Sequence, residues 1–159
     1  MSAMAKHTCF CLNDFRVYVD DEVISVWENH RQIGTSDNES FGVLAGSHSH
    51  DNKTFWVELC TTPQPNDSAT RTSFVMRDYF HCKFVDSSYS QSQGLIGYIG
   101  TWHTHPVGVP FPSNIDVDDW IKCTERNVDR KLFFFIVGTK ETRAFMRVKD
   151  TFIYMNRRA

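Results

Sequence analysis

The rhythm of apolar and polar positions changes several times along this chain, and each change marks an element. In Asp14–Asp20 (DFRVYVD), Phe15, Val17 and Val19 alternate with Arg16 and Tyr18, which predicts a half-buried strand. The spacing then turns helical. Val23, Val26, Trp27, His30 and Ile33 predict a helix over Val23–Ile33, capped by Asp20 or Asp21 and stopped by Gly34. His30 lies on that apolar stripe and is expected to pack into the core. A polar loop, Thr35–Ser40, leads Glu39 into an apolar strand, Phe41–Gly46. Ser47–Lys53 (SHSHDNK) has turn chemistry, and the strand Thr54–Thr62 is expected to pair back as a hairpin. Pro63–Thr72 reads as a loop. Phe74, Phe80, Phe84, Val85 and Tyr89 suggest a helix within Ser73–Gln91, and Ser87–Gly94 reads as a polar linker.

The second half repeats the alternation. Leu95–Trp102 (LIGYIGTW) reads as a buried strand that Pro106 ends, because proline has no N–H for the ladder. Ser113 is a good N-cap, and Val117, Trp120, Ile121 and Val128 predict a helix running to about Val128. Lys131–Thr139 (KLFFFIVGT) is almost wholly apolar and predicts a central strand. A tight hairpin from Gly138 to Thr142 then leads into the strands Thr142–Val148 and Thr151–Met155. This order predicts an α/β fold of the α+β type, a mixed sheet with helices packed on its faces. The 159 residues, with no repeat or low-complexity segment, fit one domain over 1–159, with residues 1–12 expected to be a flexible terminus.

Composition narrows the function classes. A formal charge of −2 argues against a dedicated nucleic-acid binder, which carries a basic patch or stripe. No apolar run reaches the ~18 residues that suggest a membrane span. Met1–Cys11 lacks the apolar core of a signal peptide, so a cytoplasmic location is expected. In that compartment the five cysteines are expected to be reduced thiols. None has C-x-x-C spacing, and a Cys–His nucleophilic protease is disfavoured.

The candidate chemistry lies in Tyr98–Trp120. His103 and His105 stand one residue apart at the end of a strand, so their side chains share a face about 6.6 Å apart. Two imidazoles at that separation can converge on one ion. Ser113 and Asp116 form S-x-x-D at a helix start, by itself a capping box. Together the residues offer two neutral nitrogens and one carboxylate oxygen, which leaves a fourth zinc position open for water. Ser113 could both cap the helix and donate its hydroxyl to an oxyanion. A second H-x-H, His48 and His50, has neither a following proline nor an S-x-x-D and is expected to be a solvated turn.

The run His103-Thr104-His105-Pro106 through Ser113 and Asp116 resembles the signature of the JAMM (MPN+, JAB) metalloproteases. The upstream stretch Glu39-Ser40-Phe41-Gly42-Val43-Leu44-Ala45-Gly46 is similar to that family's E-x-x-G-x-L-x-G element. The resemblance spans roughly Val23 to Ala144. It implies the MPN fold, a cytidine-deaminase-like mixed sheet flanked by helices. It also implies one Zn²⁺ held by His103, His105 and Asp116, with Glu39 as general base. Within the family, T-P-Q-P-N-D, R-T-S-F and W-H-T-H-P resemble the small bacterial JAB peptidases of CBASS anti-phage operons. That branch implies an isopeptidase or endopeptidase that releases a CD-NTase C-terminal tail from its protein conjugates and so reverses an E1–E2-like conjugating system. An extended tail is then expected to add as a strand beside an exposed sheet edge near Glu39 or the Ser47–Lys53 turn. Two alternatives remain at this stage: an inactive zinc-bearing MPN scaffold, and a peptidase that processes sulfur-carrier proteins.

Overall fold

The computed structural model describes residues 7–158. The chain runs β1 (His7–Leu12), β2 (Phe15–Asp20), α1 (Asp21–Asn29), β3 (Phe41–His48), β4 (Thr54–Cys60), β5 (Ser68–Ala69) and β6 (Phe74–Val75). It continues through α2 (Phe80–Gln91), β7 (Gly97–Thr104), α3 (Asn114–Arg126), β8 (Phe133–Val137), β9 (Thr142–Val148) and β10 (Thr151–Arg157). The expected mixed sheet is present, and it closes on itself in the order β1-β10-β9-β8-β7-β3-β4-β2. The β7–β8 and β2–β4 pairs are parallel and the other pairs antiparallel. β5 and β6 form a separate two-stranded ribbon.

The expectation of a flexible terminus through Leu12 is corrected over His7–Leu12. That segment pairs with β2 along its length and with β10 at Phe10 and Cys11, and so closes the barrel. Phe10 is the reason: its ring is buried in the barrel interior and meets Phe135 edge-on at 5.5 Å. Residues 1–6 of the same expectation lie outside the described part.

Two layers of core follow from alternation in the strands. Phe133 and Phe135 point into the barrel, where Val23 and Trp27 of α1 meet them. Phe134 and Ile136, one residue out of phase, face Trp120 and Cys123 of α3 on the outside. Trp120 stacks on Phe134 at 4.9 Å. Helix α1 ends at Asn29, four residues before the expected Ile33, and Ile33 is 69% exposed. The chain turns there because Gln32, not Ile33, goes inside. Helix α2 runs to Gln91 through most of the expected Ser87–Gly94 linker, while Phe74 belongs to the ribbon rather than to this helix. Helix α3 stops at Arg126, leaving Val128 87% exposed.

Close backbone approach is built into β3. A Cβ on Gly42 would overlap the Thr61 carbonyl, which accepts a hydrogen bond from the Trp102 indole N–H at 2.9 Å. β3 therefore packs closely between β4 and β7 and delivers the segment just before it to the end of β7.

Candidate metal centre and groove

His103 is the next-to-last residue of β7, paired with Phe41 on one side and Ile136 on the other. His105 lies just past the strand, its N–H bonded to the Val137 carbonyl at 3.0 Å. Strand periodicity puts both imidazoles on the outer face, as expected from their spacing. Asp116 comes from the first turn of α3. Ser113 caps that helix by accepting from Asp116 N–H at 3.1 Å, and the Asp116 carboxylate accepts in return from Ser113 N–H at 2.9 Å. The capping box is thus real, and it also aims the carboxylate at the histidines.

Three atoms converge. His103 Nε2 and His105 Nε2 are 3.1 Å apart, and Asp116 Oδ2 lies 3.2 Å from the first and 3.0 Å from the second. Tetrahedral ligands at the ~2.0–2.1 Å typical of zinc are ~3.3 Å apart, so the spacing suits that ion. Two imidazole nitrogens and a carboxylate oxygen crowded to these distances present lone pairs to one another and need a cation or protons between them. Among the described residues no other three metal-ligating side chains come together this closely. His48 instead bonds the Ser49 carbonyl through Nδ1, and His50 is exposed.

Glu39 sits across from this cluster. Its side chain is buried, with Oε1 4.0 Å from His105 Nε2. Burial first, and the Asp116 charge second, push its carboxyl up to about 8. Burial also disfavours the charged form of Asp116. The hydrogen bonds from His103, His105 and Ser113 N–H overcome this and hold its carboxyl well below the usual range. The two acids therefore differ: Asp116 gives up its proton readily and Glu39 holds its proton more tightly than a free carboxyl. Ser113 is exposed beside them.

The cluster opens into a groove of about 660 Å³ between the β6–α2 side and α3, floored by β3 and β7. Val43, Phe74, Val85, Trp120 and Cys123 give it apolar walls, and Arg126 and Asp119 mark charged positions along α3. Phe74 stacks on Phe41 at 4.4 Å and leans on the His103 ring at 5.4 Å, so the ribbon shields the buried histidine.

Residues 28–149 match the family described as prokaryotic homologs of the JAB domain. The chain belongs to this family. Among curated relatives, a CD-NTase/cGAS isopeptidase of Escherichia coli (strain TW11681) is 29% identical over 140 residues, covering 86% of this chain and 85% of that protein. A protein of the same name from Vibrio cholerae serotype O1 is 30% identical, with 81% and 80% covered. Another from Pseudomonas aeruginosa is 29% identical, with 72% of each covered. A Desulfitobacterium hafniense protein of known solution structure shares the fold of this chain at a TM-score of 0.59 and 21% identity, with 86% of this chain and 87% of that one covered. No helix of the described residues is long and apolar enough to cross a membrane.

Several residues that build the site were not apparent from pattern. His81 is buried, with Nε2 2.7 Å from Asp67 Oδ2 and Nδ1 2.6 Å from Thr61 Oγ1. Asp67 also accepts from the N–H groups of Gln64, Arg77 and Asp78, so one carboxylate clamps both ends of the segment carrying the ribbon. A polar loop residue and a helical histidine fourteen positions apart carry no joint signal in sequence. His30 is the packed histidine that its position suggested. Its Nδ1 bonds the Val26 carbonyl at 2.7 Å and its ring meets Trp102 edge-on.

Proposed function

We propose that this chain is a zinc-dependent isopeptidase that cleaves the bond between the C-terminus of a CD-NTase and the amine to which a conjugating system has joined it. The observation that carries this reading is the convergence of His103, His105 and Asp116 opposite a buried Glu39 at the head of an open groove. The names of the relatives supply the substrate class. His103, His105 and Asp116 would hold Zn²⁺, which supplies a water of lowered pKa and polarises a carbonyl.

The chain's own residues do the rest. Glu39 takes a proton from the attacking water and returns it to the leaving amine, a cycle suited to a carboxyl whose affinity for protons is raised by burial. One water is consumed, the C–N bond breaks, and a carboxylate and an amine leave. Ser113 Oγ accepts from Asp116 N–H, and its hydroxyl hydrogen is left to donate to the oxyanion. Asp116 and His105 are oriented before substrate arrives, so little reorganisation is needed at the moment of reaction. A scaffold without activity has no use for a carboxylate buried at this distance from the histidines.

The tail's docking mode is revised by the barrel. β3 is paired on both sides, by β4 and β7, so it offers no edge near Glu39 or the Ser47–Lys53 turn. The ribbon is the alternative: β6 lines the groove beside Glu39, and an extended tail there can pair with its backbone while its side chains enter the apolar walls. The test is a fusion of a CD-NTase C-terminal tail to an unrelated protein. Mass spectrometry should show one cut at the junction, lost on chelation and in Glu39→Ala. Equal cutting of scrambled-tail fusions would show a general peptidase and end the substrate assignment.

A further inference from the structure

Gln32 is 2% exposed, just past the end of α1, and every hydrogen its side-chain amide can donate is used. Nε2 donates to the Asp37 carbonyl at 3.0 Å and to the Arg71 carbonyl at 2.9 Å. Oε1 accepts from Thr104 Oγ1 at 2.8 Å. The orientation of the amide is decided by its surroundings. The Asp37 and Arg71 carbonyls can be satisfied only by the NH₂ side, which leaves Oε1 to accept the Thr104 hydroxyl hydrogen, while Thr104 Oγ1 accepts in turn from Ser40 N–H at 2.9 Å.

The three segments held in this way meet at the candidate centre. Thr104 stands between His103 and His105 and is fully buried. Asp37 and Ser40 bracket Glu39, and Ser40 also accepts from Thr104 N–H at 2.9 Å. Arg71 follows Thr70, whose carbonyl accepts from Glu39 N–H at 2.8 Å, and both lie in the turn of the β5–β6 ribbon. One buried amide thus links the strand end that carries the histidines, the loop that carries Glu39 and the ribbon that walls the groove.

We propose that Gln32 is the positioning residue of this site, setting Glu39 and the ribbon at a fixed distance from the histidine pair. It rests on the assignment of Glu39 as the base, but it touches neither substrate nor the reacting atoms. The loop 34–40 has no helix or strand of its own, so its place depends on these bonds. In Gln32→Met the volume is kept while both donors and the acceptor are lost. Gln32→Glu is nearly isosteric and turns the two donors into an oxygen facing two carbonyl oxygens. Displacement of a base by ~1 Å can cost about 100-fold in rate.

The test pairs hydrogen exchange with kinetics on the full chain. In metal-free Gln32→Met, amides of residues 37–40 and 70–73 should lose at least tenfold in protection while β8 amides keep theirs. The zinc-loaded variant should keep about one zinc per chain, lose about 10–100-fold in kcat and change little in KM. Gln32→Glu should show the same pattern. The exchange arm needs no substrate, so failure of the isopeptidase reading leaves that arm standing, whereas failure of the tether shows in exchange alone. Protection lost evenly across the barrel would mean a general structural role and overturn the proposal. So would unchanged exchange, or local loosening with kcat within twofold of the parent.

Discussion

Replacing Glu39 by Gln should make the metal-free chain more stable above neutrality, by an amount the burial of the carboxyl sets. The Glu39 side chain is 3% exposed, and its carboxyl is pushed from an ordinary 4.5 up to about 8 by burial and then by Asp116. A folded-state value above the unfolded one means that the folded chain binds this proton more tightly. That contribution is fully present below about 4.5 and is lost as pH rises through about 8. At ~1.4 kcal/mol per pH unit the loss reaches about 5 kcal/mol, an upper value because relaxation and water entry soften it. Asp116 does not confuse the measurement. Its carboxyl is held low in the folded chain, so its contribution is present above the unfolded value of 3.8 and is lost only as pH falls below that. Urea unfolding of chelator-treated protein at about pH 5, 6, 7 and 8 is the assay. The parent should lose several kcal/mol across the series relative to Glu39→Gln, with the two curves close together near pH 5. Zinc at about pH 8 should narrow the gap, since a divalent ion favours the ionised carboxyl that only the parent has. Parallel curves for parent and variant across the range would refute the burial argument.

His103→Ala combined with His105→Ala should abolish binding of the ~1 zinc per chain measured by elemental analysis, because it removes two of three converging ligands. The matched control, His48→Ala with His50→Ala, should leave zinc content and cleavage unchanged, and loss of either would mean that the turn after β3 contributes to the site. Asp67→Ala should cost about 1–3 kcal/mol in urea unfolding, since it strands the buried His81 imidazole and removes the acceptor of the Arg77 and Asp78 N–H groups. The Asp67→Ala chain should also show faster exchange in the ribbon, and a change below about 0.5 kcal/mol would show that the clamp is not needed.

Sequence alone determined the parts whose geometry is local. His103 and His105 share a face because strand side chains repeat every two residues. Asp116 turns toward them because a capping box fixes the first turn of a helix whatever it packs against. Glu39 was legible only through its resemblance to a family element; as a loop carboxylate its own pattern said nothing. Alternation placed β2 and β9 closely, and an unbroken apolar run placed β8. Tertiary structure decided what depends on distant partners. Barrel closure needs β1 to meet β10 from the far end of the chain, and no pattern within either strand specifies that pairing. The end of α1 moved from Ile33 to Asn29 because Gln32 finds acceptors and a donor 5, 39 and 72 positions away, which outweigh a helical stripe. The same holds for His81, Asp67 and Thr61. A buried polar side chain is stable only where its partners are satisfied, and in this chain those partners are brought together by the closure of the sheet, not by neighbours in sequence.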